Sequence, residues 1–122
     1  MPVNYRYDSN IVVIEMIGEY SMDNIRTAIL NAFADSHCPN EPFLLINLVE
    51  SLSIYHRSSE DVKNMAGFVA SMGKRFNNRI ALVAAKDLPY GLARMSSIGS
   101  EEQGIKSGVF RTFAEARQWI LS

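Results

Sequence analysis

FLLINLV, residues 43–49, is a nearly continuous apolar run of strand length. A strand with one face in water alternates apolar and polar side chains. An almost unbroken run instead suits a strand covered on both faces, as in a parallel sheet flanked by helices. RIALVAAKD (79–87) reads the same way. Between the two lies SSEDVKNMAGFVASMGKRF (58–76), where Val62, Met65, Ala66, Val69, Met72 and Gly73 fall at helical spacing. A buried strand, a helix and a second buried strand form a crossover unit, right-handed by default.

Outward from this unit, the N-terminal side reads as a hairpin and a helix. VNYRY (3–7) and IVVIEMIGEY (11–20) flank DSN (8–10), which is turn chemistry because Asp and Asn bond their own backbone. On the second strand, Val12, Ile14 and Met16 share one face and point to the core. Val13, Glu15, Ile17 and Glu19 share the other, a mixed face expected to meet water or a partner. SMDNIRTAILNAFADSH (21–37) is the first helix, capped by Ser21, with Ile25, Ile29, Leu30 and Phe33 inward and Pro39 and Pro42 closing it. ESLSIYHRSS (50–59) reads as a loop or short irregular element. LPYGLARMSSIG (88–99) opens a third helix, SEEQGIKSG (100–108) reads as loop, and VF (109–110) as a short last strand. RTFAEARQWILS (111–122) is the last helix, with Thr112 and Glu115 as a capping box. The expected fold is therefore α/β. A mixed sheet of about four to five strands begins with an antiparallel hairpin and carries about four helices, in a single domain over residues 1–122.

Composition narrows the function classes. The chain has 122 residues, 48% of them hydrophobic, and a formal charge of -1 from 12 basic and 13 acidic residues. Dispersed charge without a basic stripe argues against a nucleic-acid partner. No apolar run approaches the roughly 20 residues that span a bilayer. MPVNYRYDSN (1–10) lacks the basic-then-apolar pattern of a signal peptide, and Cys38 is the one cysteine, so a reduced, cytoplasmic setting is expected.

The order of hairpin, helix, strand, helix, strand, helix, short strand and helix resembles the STAS fold of anti-sigma-factor antagonists. It is more similar to the SpoIIAA-like group, whose members are described as related to CRAL-TRIO-type lipid-binding domains. The stretches that carry the resemblance are IVVIEMIGEYSMDNI (11–25), FLLINLV, RIALVAAKDLPYGLARM (79–95) and VFRTFAEARQWI (109–120), nearly the whole chain in order. The resemblance implies a non-enzymatic interaction or regulatory module with a protein partner. Self-association is a separate expectation, since hairpin edges and apolar helix faces pair readily in a small domain. On its lipid-binding side the resemblance implies a carrier or sensor of a small apolar ligand. Antagonists of this kind are switched by phosphorylation of a serine at a helix start. Here that position falls on Ser58 or Ser59, in HRSSED. The antagonist pattern resembles Asp-Ser-Ser-Gly, and this chain departs on both sides, with Arg57 for the Asp and Glu60 for the Gly. Glu60 and Asp61 would also repel a phosphate, which leaves Ser58 read first as a helix cap.

The remaining chemistry centres on LPYGLARM (88–95), which follows the strand of residues 79–87. Ligands in open α/β sheets bind beyond the carboxyl ends of the strands. Tyr90 and Arg94 lie four apart and can share a helix face, and Gly91 removes a side chain, so an anion held by helix amides and Arg94 is one expectation. The other is that Tyr90, Leu92 and Met95 simply pack, with Gly91 fitting a tight contact. If the second and third helices diverge over the sheet, Met65, Phe68, Met72 and Met95 would border an apolar cavity. The candidate ligand-binding residues are thus Tyr90, Gly91, Arg94, Met95, Met65 and Phe68. No catalytic set, metal spacing or cofactor motif is legible. His37 and Cys38 are neighbours whose side chains diverge, His56 could reach Cys38 only through the fold, and no Walker loop, GxGxxG or GxSxG occurs.

Overall fold

A computed structural model of the chain describes residues 2–122. The hairpin pairs β1 (Val3–Asp8) with β2 (Ile11–Met16) in antiparallel register, Val3 opposite Met16 and Asp8 opposite Ile11. Ser9 turns the chain with φ 55°, in the left-handed region. Then follow α1 (Met22–Ala34), β3 (Phe43–Asn47), a 3-10 turn (Ser53–His56), α2 (Ser59–Ser71), a second 3-10 turn (Gly73–Phe76), β4 (Arg79–Val83), α3 (Asp87–Glu102), β5 (Lys106–Phe110) and α4 (Phe113–Leu121).

The five strands lie side by side in chain order, and β2 to β5 are parallel. That order fixes the layers. Three successive right-handed crossovers that all step in one direction put α1, α2 and α3 on the same side of the sheet. Beneath them lie Val12, Ile14, Leu44, Ile46, Ile80 and Leu82. The opposite face is left to α4, whose Ala116 and Ile120 cover Ile11, Val13, Leu45, Ala81 and Val83. The continuous apolar runs of β3 and β4 thus serve two cores at once.

Four local expectations are corrected. The mixed face of β2 does not open to water at Val13, which is fully buried under α4, whereas Glu15 on the same face reaches Arg6 at 3.0 Å. Leu30 points outward and is 49% exposed. The helix expected over 58–76 ends at Ser71 and tightens into a 3-10 turn, which leaves Phe76 fully buried. The stretch 100–108 is not a loop. Its first residues end α3, and β5 begins at Lys106. Polar and small residues disguised that strand. Ser107 is buried because its hydroxyl meets that of Ser97 at 2.5 Å. At Gly108 a Cβ would lie 2.8 Å from the tip of the Phe110 ring, so any larger residue there would have to displace that ring.

The caps follow the local sequence. Ser21 and Ser58 each accept from the backbone amide three residues on, at 3.1 Å, and Asn24 and Asp61 return the bond to the cap amide. Thr112 accepts from the Glu115 amide, but the Glu115 carboxylate takes the Thr112 hydroxyl instead of the cap amide, so that box is only half closed.

Candidate functional site: an apolar cavity under the second and third helices

Helix α2 packs mainly on α3 and approaches the sheet less closely than α1 and α3 do, although its Val69 is buried in the same core as Ile46, Ile80 and Leu82. The space left beneath α2 is a cavity of about 80 Å³. Its floor is Ile46 and Leu48 from β3 and its exit, with Ile80 and Leu82 from β4. Val62, Met65, Ala66 and Val69 of α2 form the roof, and Leu92 and Ala93 of α3 one wall. Met16, Met22 and Ile25 close the far side. The lining is almost wholly apolar. Its polar exceptions are Tyr20, Arg57, Asp61, Ser96 and Ser100.

Tyr20 and Arg57 lie together at one end, where the chain leaves β2 and enters α2. Tyr20 is held from three sides. Its hydroxyl meets Ser51 Oγ, its amide donates to Ser53 Oγ at 2.8 Å, and Ser53 Oγ donates back to its carbonyl at 3.2 Å. Burial pushes the phenol pKa up, against the opposing pull of the Ser51 bond and of Arg57. The Arg57 guanidinium lies over the Tyr20 ring, 5.5 Å from its centroid, and its Nη2 donates to the Tyr20 carbonyl. Its Nε is buried without a hydrogen-bond partner.

Of the six candidate residues read from the sequence, Met65 lines this cavity. The other five lie outside its lining. Tyr90 and Arg94 lie one turn apart on α3, but Arg94 is not the cation that meets Tyr90. Its ring sits under Arg111, 3.9 Å away, and Arg111 also bonds Asp87 at 3.0 Å and the Ala85 carbonyl at 2.9 Å. This cluster fastens the start of α3 to the end of β5. Arg94 is exposed and Met95 half-buried. A Cβ on Gly91 would meet nothing within 4 Å, so no tight contact calls for glycine there. Phe68 is half-buried, with Arg26 over its ring. LPYGLARM thus contributes to the cavity through Leu92 and Ala93. Tyr20 was missed because nothing in its local sequence marks it. Arg57 stood out only as a neighbour of the capping serines.

The other candidates stand apart from the cavity. Ser58 Oγ is engaged as the α2 cap, and Ser59 is exposed at the first helical position. His56 is exposed. His37 Nδ1 bonds Asp35 at 2.9 Å, and the carboxyl of Asp35 is held down to about 2, first by the His37 amide and then by the Tyr5 hydroxyl and the His37 ring. Cys38 is half-buried and burial pushes its thiol pKa up, the reverse of an activated nucleophile. Among the described residues no group of three or more His, Cys, Asp or Glu could hold a metal ion, and no helix is long and apolar enough to cross a membrane.

No protein-family model and no curated protein sequence matches the chain. Among solved structures, it is similar to an uncharacterized protein of the DUF3478 family from Shewanella loihica PV-4, described as having a SpoIIAA-like fold. The two share 15% sequence identity and superpose with a TM-score of 0.60 over 97% of this chain and 91% of that one. The fold is SpoIIAA-like. The order of elements read from the sequence is the order of that fold. In this SpoIIAA-like chain the cavity lies on the three-helix side of the sheet, and the α4 side has none of its lining residues.

Proposed function

We propose that the protein is a carrier or sensor of a small apolar ligand, held between α2, α3 and the sheet. The observation that carries this reading is the apolar cavity beneath a helix that leans more on its neighbour than on the sheet. Cores ordinarily close such space, because unfilled volume forfeits dispersion contacts and costs stability. A void lined by aliphatic and methionine side chains favours an apolar occupant over water. At the roughly 10–15 Å³ that one water needs, 80 Å³ corresponds to about six waters, the room of a short acyl chain or a single ring.

The test is native mass spectrometry of protein purified gently from its expressing cells, paired with binding of a neutral apolar fluorophore such as N-phenyl-1-naphthylamine. An added mass that vanishes on denaturation is expected, and Met65→Trp, which fills the cavity, is expected to abolish fluorophore binding. Bare chains, with fluorescence indifferent to Met65→Trp, would sink the reading.

A second reading, an interaction or regulatory module, is favoured by a separate observation. Ile17, Val49, Leu52 and Tyr55 are each more than 40% exposed. They lie on neighbouring loops, tied together where the Gly18 amide bonds the Glu50 carbonyl and the Leu52 amide bonds the Gly18 carbonyl. A protein partner would cover such side chains. Loss of partner capture on Leu52→Asp, with ligand binding intact, would assign the module role to this surface. Phosphomimetic Ser59→Asp is the companion test of a switch at the start of α2.

A further inference from the structure

Resting on the carrier reading, we infer that the occupant is a monoanionic amphiphile, a short-chain carboxylate whose head is held by Arg57 and whose tail enters the cavity. Arg57 is the one arginine in the cavity lining, where every other charged side chain is the carboxylate of Asp61. No carboxylate among the described residues forms an ion pair with it. Its one protein acceptor is the carbonyl of Tyr20, and its Nε is buried without any. A guanidinium has five donors in a planar fork that matches a carboxylate, and a buried donor left unmet is costly. An anion at the mouth would supply the missing acceptors.

Arg79 gives the contrast. Its Nε is also buried and unpartnered. Its guanidinium, however, stacks on the Trp119 and Phe43 rings at 4.7 and 5.6 Å, and donates to the carbonyls of Trp119 and Ser122 at the end of α4. It is not among the residues that line the cavity under α2, and it has a structural role. Arg57 combines the unmet donor with an apolar void large enough for a tail.

Asp61 sets the choice among anions. Its carboxylate is committed to the Ser58 amide at 3.4 Å and lies in the same lining as Arg57. A fixed negative charge repels a dianion about twice as strongly as a monoanion at the same distance. The site therefore suits a carboxylate better than a phosphate monoester.

The experiment is titration calorimetry with octanoate, octyl phosphate, octanol and octylamine, on the wild type and on Arg57→Gln, Arg57→Lys and Asp61→Asn. Octanoate is expected to bind at least ten-fold more tightly than octanol. Arg57→Gln should weaken octanoate ten- to hundred-fold, the worth of a charge-assisted hydrogen bond, and leave octanol within about two-fold. Arg57→Lys, which keeps the charge but not the fork, should fall between. Asp61→Asn should narrow the gap between octanoate and octyl phosphate. Octanol binding as tightly as octanoate, or both falling together in Arg57→Gln, would overturn the head-group assignment and leave the carrier reading standing. Octyl phosphate binding more tightly than octanoate would overturn the choice of carboxylate. Failure of all four probes to bind or to displace the fluorophore would overturn the carrier reading as well.

Discussion

The two faces of one sheet make unlike cores. On the α4 side, Ile11, Val13, Leu45, Ala81, Val83, Ala116 and Ile120 are all fully buried, and a single short helix closes the layer. On the other side three helices share the cover, and the middle one approaches the strands less closely. The strands supply both faces with similar aliphatic side chains, so the difference lies in the helices. One helix against a face can settle to its optimum. A helix that must first satisfy its neighbour cannot, and the gap beneath it is the proposed ligand site.

That contrast is broken most directly by truncating one side chain on each face. Ile120→Ala removes a fully buried side chain from the closed face and is expected to cost about 2–5 kcal/mol, the range for an aliphatic-to-alanine cavity. Met65→Ala acts where space already exists, so fewer contacts are lost, and about 1 kcal/mol is expected. Urea denaturation of the two variants measures both. Equal losses would mean that the two faces are equally well packed and that the cavity has no energetic signature.

The closed face was legible in β3, β4 and α4 but not in β2, whose mixed side suggests water or a partner while Val13 lies buried under α4. FLLINLV and RIALVAA announce strands with two covered faces, and a capping threonine and apolar periodicity announce α4. The cavity was legible only in part. Met65 could be placed on the inner face of α2, because period fixes which side a residue takes. How far α2 stands from the sheet depends on how it meets α3, and no periodicity encodes that distance. Tyr20 and Arg57 lie 37 residues apart and meet only through the fold. Tyr90 and Arg94 have the right spacing to meet, yet Arg111, brought in by β5, takes the tyrosine. Local spacing gave a pair, and tertiary structure replaced it.

Strand β5 sharpens the comparison at the closed face. Gly108→Ala would drive a methyl to within 2.8 Å of the Phe110 ring and 3.4 Å of Trp119. Overpacking of that kind is expected to cost about 1–3 kcal/mol. The same substitution at Gly91, where a Cβ meets open space inside a helix, is expected to stabilise by about 0.5–1 kcal/mol. Thermal melts of both variants check the opposite signs. At the open face, Ser58→Ala removes the α2 cap and should cost about 1 kcal/mol. Because α2 roofs the cavity, the loss should be partly restored by saturating ligand.

The smallest expected effect is also distributed between the faces, and it is read by acid. Asp35, below α1, has its carboxyl held down to about 2 by the His37 amide, the Tyr5 hydroxyl and the His37 ring. Asp8, at the hairpin, is lowered chiefly by Arg117 of α4, which bonds it at 2.9 and 3.1 Å. Both carboxyls are depressed in the folded state, so the unfolded chain binds more protons at low pH. The stability they contribute is complete above the unfolded carboxylate range near pH 4. For Asp35 it is lost as pH falls from there through about 2. Asp35→Asn and Asp8→Asn should each flatten the decline of stability between pH 4 and 2. In the double variant the two should add, since one side chain ties α1 to β1 and the other ties α4 to the hairpin, with no shared partner. Denaturation midpoints measured across that range decide the point. A decline as steep in the double variant as in the wild type would mean that these bonds are already loose in solution, and that neither face is anchored through β1.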